Sequence, residues 1–250
     1  MVEQDEGTAE VNRKFTKSFA FHCFFCKFAS MKQVIDFLRQ LSENNNKAWF
    51  DSHKQDYLQA KQAFDAFALD FLHGVEQFDP RVKGLTLRDI TYRIYRDLRF
   101  TQDKRPYKWH MGAYVCPKGK KSGMAGYYIH LEPATRTYFI CAGLYNPTKQ
   151  VIASVRDEIM CSPEEFHASL MECSDFTLPW DSALRNVPRG YSETDSHSEY
   201  YRLRSYEIYK HITEKDVLRR DFLDKSLADL ERTHSYNEIL NKCCDFIGEE

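Results

Sequence analysis

The chain has 250 residues, of which 42% are hydrophobic and 29% charged, so the composition predicts one globular domain and argues against a disordered chain. Its formal net charge is −2, so no overall field draws the protein to nucleic acid or to an anionic membrane. The charge is uneven, however, because residues 88–108 carry seven Lys or Arg and three Asp. That segment has a net charge of +4 and the remainder −6, so we expect any anionic partner to bind locally.

Residues 1–30 differ from the rest of the chain. The segment Phe19–Ser30 is apolar, but it is short, is interrupted by His22 and Lys27 and follows several acidic residues. It therefore resembles neither a membrane span nor an export signal, and we expect a cytoplasmic protein with no membrane partner. We interpret 1–30 as an extension that is disordered or results from a misassigned start codon, and 31–250 as the single domain.

The next residues predict a pair of helices. Apolar residues recur at helical spacing from Ser30, a candidate N-cap, to Leu41. A second and longer stripe runs from Asn46, another candidate cap, to Gly74, where a glycine can end the helix. We expect these two helices to pack against each other.

Beyond Pro80 the hydrophobic period changes to two, which is typical of strands. The connections are short and favour an antiparallel sheet, with the last two strands forming a hairpin. The predicted strands are Leu87–Tyr95, Met111–Cys116, Tyr127–Glu132 and Thr137–Leu144.

Helices return after the hairpin, with one further strand predicted at Arg204–His211. The predicted caps are Asn146 followed by Pro147, then Ser162, Thr213 and Ser235. The fold class is therefore α+β: a single domain with an N-terminal helical pair, a central mainly antiparallel sheet and C-terminal helices.

Several blocks then follow one another in a recognisable order. They are "FLRQLSENNNKAWFDSHKQDY", "RIYRDLRFTQDKRPYK", "GYYIHLEP", "AGLYNPTKQVIASVRDEI" and "VPRGY". In that order they resemble an uncharacterised, mainly bacterial family, domain of unknown function 2461, over about Met31 to Phe246. The resemblance implies a single α+β domain and no established activity.

The second of these blocks holds the main candidate site. Arg side chains offer planar forks of donors that suit carboxylate or phosphate, and Tyr107 or Trp109 can add a stacking face for a base. The alternative is structural, since Asp97 and Asp103 could pair with the arginines and fix the loop. The predicted ligand-binding residues are Arg93, Arg96, Arg99, Lys104, Tyr107 and Lys108, with Arg189 in the "VPRGY" loop in support.

A second candidate site lies on the strand Tyr127–Glu132. His130 and Glu132 are two residues apart, so they share a face with Tyr128 and are candidates for acid–base catalysis. The alternative is a solvated face or a hydrogen-bonded structural histidine.

Known catalytic and metal motifs are missing. The eight cysteines form one C-x-x-C pair, Cys23 and Cys26, with no second pair at zinc spacing, so we expect free thiols and no metal site. The P-loop, dinucleotide-binding, zinc-protease and nucleophile-elbow motifs are also absent, and the sequence identifies no cofactor and no oligomeric state.

Three functions remain. The first is binding of a phosphate-bearing or other anionic ligand, either a small molecule or a local nucleic-acid contact, through the Arg/Lys loop. The second is an enzyme that acts on a phosphoester with His130 and Glu132 as acid and base. The third is a protein interaction module whose cationic loop docks on an acidic protein.

Overall fold

Helices surround one antiparallel sheet, as the sequence predicts. The computed structural model describes residues 31–99 and 101–248, so the N-terminal extension, its C-x-x-C pair and the predicted cap at Ser30 lie outside the described residues. The strands are β1 Met111–Val115, β2 Gly126–Glu132, β3 Thr137–Leu144 and β4 Tyr206–His211. The helices are α1 (31–43), α2 Lys47–Ser52, α3 Lys54–Val75, α4 Leu87–Ile90, α5 Lys149–Cys161, α6 Pro163–Met171, α7 Glu214–Val217, α8 Phe222–Glu231 and α9 His234–Gly248.

The four strands are connected in sequence order, and each pairs antiparallel with the next. Tyr127, Ile129 and Leu131 of β2 point into the core and are fully buried. On this face α8 and α9 pack against β3, while α3 packs against β1. The alternate residues of β2 therefore lie on the opposite, less covered face of the sheet.

The predicted strand Leu87–Tyr95 is wrong. Asp89 accepts hydrogen bonds from both the backbone N (2.8 Å) and the hydroxyl (2.7 Å) of Thr86, and this capping interaction starts the helical turn α4. After that turn the chain is extended, but only isolated bridges form, at Thr91 and Tyr95. The alternation is kept in one respect, since Ile94 is buried while its neighbours are exposed.

The long helix predicted from Asn46 to Gly74 is divided in two. Asn46 does cap a helix, because its side chain accepts a hydrogen bond from the backbone N of Trp49 at 3.0 Å. The helix is interrupted at His53, whose backbone leaves the helical region (φ −108°, ψ 26°), and α3 begins at the next residue.

The N-caps of the helices after β3 agree only in part with the positions predicted from the sequence. Thr213 caps α7 as predicted. Asn146 does not cap α5, because it adopts a left-handed conformation (φ 51°) and Thr148 takes the cap position instead. Ser235 is also not a cap, since α9 already begins at His234. Local cap patterns thus identify the helices, but they misplace the first residues of α5 and α9.

Two properties of the described residues bear on function. No helix within them combines the length and the apolar character needed to cross a bilayer. The six cysteines among them carry free thiols, and three of these are buried: Cys116, Cys173 and Cys243.

Gly143 in β3 is the position at which the sheet most clearly needs a glycine. Its φ is +102°, and a Cβ there would lie 2.0 Å from the carbonyl oxygen of Tyr206 on β4. Gly84 also has a positive φ, +84°, but nothing lies within 4 Å of the place of a Cβ. Both positions carry backbone strain for other residues, whereas only Gly143 adds a clash with backbone.

Gly143→Ala should therefore lower the free energy of unfolding by at least ~2 kcal/mol more than the matched control Gly84→Ala, since overpacking against backbone adds to the shared strain. Urea denaturation of both variants measures the difference. Equal losses of unfolding free energy in the two variants would show that β4 accommodates the added methyl group without further destabilisation.

Candidate functional site

Asp side chains hold the arginines in the loop of residues 96–107, which we call the arginine loop. Arg96 Nη1 lies 2.8 Å from the carboxylate of Asp103, and Arg105 Nη2 lies 2.7 Å from the same group. Arg99 pairs with Asp97 at 2.6 Å. Hydrogen bonds from Arg105, with a smaller contribution from Arg96, hold the pKa of Asp103 well below its usual range. These contacts favour a structural role for the loop arginines.

The aromatic rings of this region are also engaged. Tyr107 is buried, stacks on Phe50 with ring centroids 4.0 Å apart, and exchanges two backbone hydrogen bonds with the Asn45 amide (2.9 and 3.1 Å). The guanidinium of Arg105 lies 3.9 Å from the ring centroid of Trp109. Both rings that the sequence suggested as stacking faces for a base are therefore covered by protein.

A cleft of about 1100 Å³ lies beside the arginine loop. It is bounded by α3, by the segment 88–94, by the residues that lead into β1 and by the turn at 118–121. The lining residues that matter below are Lys61, Asp65, Arg88, Asp89, Tyr92, Arg93, Lys108, His110, Gly112, Lys118, Lys120 and Lys121.

The structure brings only part of the predicted site to this cleft. Arg93 and Lys108 line it, and so does His110. Lys104 instead donates to the carbonyls of Leu98 and Thr101 within the arginine loop. The other predicted residues that do not line the cleft are Arg96, Arg99, Tyr107, Arg189, His130 and Glu132.

The cleft is strongly cationic. Seven Lys or Arg and two Asp side chains line it, a formal net charge of +5. Since the whole chain carries −2, the rest of the molecule has a net charge of −7. The excess of positive over negative charge is therefore local to this cleft.

Most of these cations have no acidic partner. Lys61 pairs with Asp65, and Lys118 lies 3.4 Å from Asp245. Asp89 is occupied by the cap of α4. Among the described residues, no carboxylate lies within 4 Å of the remaining five cationic side chains: Arg88, Arg93, Lys108, Lys120 and Lys121.

The unpaired cations affect one another. The pKa of Lys108 is lowered, first by burial and then by the neighbouring charge of Arg93. The pKa of Lys120 is also lowered, mainly by burial, although Asp89 opposes the shift. A bound anion would relieve this repulsion and favour the charged lysines.

A chain of hydrogen bonds runs along the less covered face of β2. His130 Nε2 lies 3.0 Å from Glu132, and His130 Nδ1 lies 2.9 Å from the hydroxyl of Tyr128. Trp109 donates to the second oxygen of Glu132 at 3.0 Å. This confirms that the three β2 residues share a face, and it shows that both ring nitrogens of His130 have protein partners.

The protonation of this chain follows from its partners. Burial raises the pKa of Glu132, but hydrogen bonds from His130, Trp109 and Thr135 outweigh burial and lower it overall, so the group is an ionised acceptor. His130 Nε2–H therefore donates to Glu132, and Nδ1 accepts from the Tyr128 hydroxyl. Burial also lowers the pKa of His130, which keeps the imidazole neutral.

His110 connects this chain to the cleft. Its ring centroid lies 5.0 Å from that of His130, and no residue among those described forms a hydrogen bond with its ring nitrogens. Burial first, and then His130, Lys108 and Arg96, lower its pKa to about 4, while Glu132 opposes them. His110 is thus a neutral imidazole in the cleft with its ring nitrogens unpartnered by these residues.

Gly112 allows this arrangement. A Cβ at this position would lie 2.3 Å from the Tyr128 hydroxyl oxygen, so a larger residue in β1 would displace the end of the hydrogen-bonded chain. Within the described ranges, no group of three or more His, Cys, Asp or Glu side chains is placed to hold a metal ion.

Comparison with protein families gives a match over most of the chain. The family described as "Conserved hypothetical protein (DUF2461)" matches residues 33–238, which is most of the chain. The chain belongs to the DUF2461 family. Comparisons with curated proteins and with solved structures gave no significant match to this DUF2461 protein.

The turn at 118–121, which lines one side of the cleft of this DUF2461 protein, was not among the residues predicted from the sequence. The signal was present, since Lys118, Lys120 and Lys121 form a short basic run. The sequence does not show that this turn folds back onto α4, where the backbone N of Lys120 donates to the carbonyl of Asp89 at 2.9 Å. A strand at Leu87–Tyr95, as predicted, would also not place Arg88 beside this turn, whereas both line the cleft in the structure.

His110 should make the stability of this DUF2461 protein depend on pH. Its pKa of about 4 in the folded state lies below the ordinary value of 6.5, so the unfolded chain binds the proton first. The contribution of His110 to the free energy of unfolding is therefore fully present above pH 6.5 and is lost as the pH falls towards 4. His110→Gln should reduce this loss by on the order of 1–2 kcal/mol, because one unit of pKa corresponds to ~1.4 kcal/mol and the ring is partly exposed.

The measurement is urea denaturation at several pH values between 7 and 4. His73→Gln, which removes an exposed histidine from α3, is the matched control and should follow the wild type. If His110→Gln also follows the wild type, the imidazole titrates normally.

Proposed function

We propose that this DUF2461 protein binds a phosphate-bearing or other anionic ligand in the cationic cleft. The single observation that carries the proposal is the set of five cationic side chains without a carboxylate partner among the described residues. Surface cations are usually dispersed or paired, whereas here they surround one concave site with a net charge of +5.

Two of the residues predicted from the sequence are central to the proposal. Arg93 is exposed in the cleft and offers a planar fork of donors. Lys108 adds a point charge beside it and has a lowered pKa, which an anion would restore. The arginine loop also helps to position Lys108. The Asn45 amide holds the backbone of Tyr107 with two hydrogen bonds, and Tyr107 directly precedes Lys108.

Charge-removing variants test the proposal. Arg93→Gln and Lys108→Gln should each weaken binding of inorganic phosphate about tenfold or more, since a hydrogen bond to a charged group contributes ~1.5–3 kcal/mol. Isothermal titration calorimetry at constant ionic strength measures the affinity. Without ligand, neither variant should melt below the wild type, because neither side chain has an ion-pair partner among the described residues and each substitution removes a charge from a repelling pair.

Two arginine variants serve as controls. Arg189→Gln removes an exposed arginine that does not line the cleft and should leave phosphate affinity unchanged. Arg96→Gln should instead lower the stability of the fold, since it breaks the 2.8 Å pair with Asp103. Phosphate affinity that falls equally in all four variants would show that binding reflects overall charge and not the cleft.

A second candidate function is hydrolysis of a phosphoester, which the position of His110 favours. The acid and base suggested by the sequence, His130 and Glu132, have their polar side-chain atoms engaged by protein partners. His110 has its ring nitrogens unengaged by the described residues and lines the cleft, so it is placed to exchange a proton with a bound phosphoester.

Hydrolysis of p-nitrophenyl phosphate tests this candidate. The wild type should release p-nitrophenol, His110→Gln should lose the activity, and His73→Gln should retain it. Equal rates for His110→Gln and the wild type would exclude His110 as the acid or base.

A further inference from the structure

One aromatic ring with a large accessible surface lines the cationic cleft. Tyr92 is 47% exposed, and the ammonium groups of Lys108 and Lys120 lie 5.4 and 5.6 Å from its ring centroid. Burial is the main cause that raises the pKa of Tyr92 to about 12, so the phenol is neutral at physiological pH and does not repel an anion.

The other phenyl or phenol rings that line the cleft are not available for stacking. Tyr57 and Phe64 are 8% and 4% exposed and belong to the core. Tyr107 and Trp109, outside the cleft, are covered by Phe50 and Arg105. Within the described residues, Tyr92 is therefore the stacking platform that the cleft offers.

We propose that the anion bound in the cleft is a nucleotide, whose base stacks on Tyr92 while its phosphate contacts the surrounding lysines and Arg93. This inference rests on the proposed function and deepens it by naming the ligand class. A flat ring and a phosphate are the two groups that an exposed aromatic side chain beside unpaired cations recognises.

The charge distribution favours a small nucleotide over a polynucleotide. The cleft has a volume of about 1100 Å³, just above the usual ~300–1000 Å³ range of small-molecule sites. Outside it the molecule has a net charge of −7, which opposes the path of a long phosphate backbone over the surface. The ligand is therefore a mononucleotide or a similarly short one.

The test compares ligands that share a phosphate but differ in the base. Isothermal titration calorimetry with AMP, GMP, CMP and UMP is set against ribose 5-phosphate and inorganic phosphate. At least one nucleotide should bind about tenfold or more tightly than ribose 5-phosphate, because base stacking on an aromatic side chain contributes by about that factor.

Three variants locate the effect. Tyr92→Ala should remove the preference for the nucleotide and leave the affinity for inorganic phosphate within about twofold, while Tyr92→Phe should retain the preference. Tyr95→Ala is the matched control, because Tyr95 is also 47% exposed but does not line the cleft. It should behave as the wild type.

The outcomes separate the two proposals. If nucleotides and ribose 5-phosphate bind equally, or if Tyr92→Ala keeps the preference, the nucleotide inference is overturned and the anion site stands. If inorganic phosphate, ribose 5-phosphate and all four nucleotides fail to bind, both proposals are overturned.

Discussion

Repulsion between unpaired cations is the constraint on which the site depends. Two like charges about 6 Å apart near a protein surface repel by roughly 1–3 kcal/mol, so a folded chain that collects several of them tends to pair or disperse them. Here Arg93, Lys108 and Lys120 remain around one cleft without a carboxylate partner among the described residues. The pKa values of the two lysines are lowered first by burial, and the neighbouring cations lower them further. A bound anion would offset this repulsion between the cations.

The arginines of the arginine loop pair with aspartates and have a structural role, in contrast to the unpaired cations of the cleft. Arg96 and Arg105 share the carboxylate of Asp103, and Arg99 takes that of Asp97. These pairs fold the arginine loop onto itself and cover Trp109 with a guanidinium. Lys108 then enters the cleft, so the paired arginines support the position of the unpaired cations.

The sequence predicted much of the architecture. Hydrophobic periodicity located β1 to β4 closely, because a strand with one buried face repeats every two residues. It failed at Leu87–Tyr95, where the same alternation coincided with a capping pattern, and the hydrogen bonds of Asp89 to Thr86 determined a helical turn instead. Local patterns compete at such positions, and here the capping hydrogen bonds prevailed over the alternation.

The site was predicted only in part for a different reason. Arg93 and Lys108 belong to the same basic block as Arg96, and sequence spacing cannot show which arginine lies within reach of an aspartate. Lys120 reaches Tyr92 because the turn at 118–121 packs on α4, and this is a tertiary contact that no local pattern encodes. Composition could identify the excess of positive charge, but only the fold shows where it converges.

The central claim is that anions bind in the cleft and not on the arginine loop. A crystal of the protein soaked in selenate tests it directly, because the anomalous signal of selenium locates the anion without assumptions about the ligand. The account predicts a peak within hydrogen-bonding reach of Arg93 or Lys108 in the cleft. A peak on Arg99 or Arg105 of the arginine loop, with none in the cleft, would contradict it.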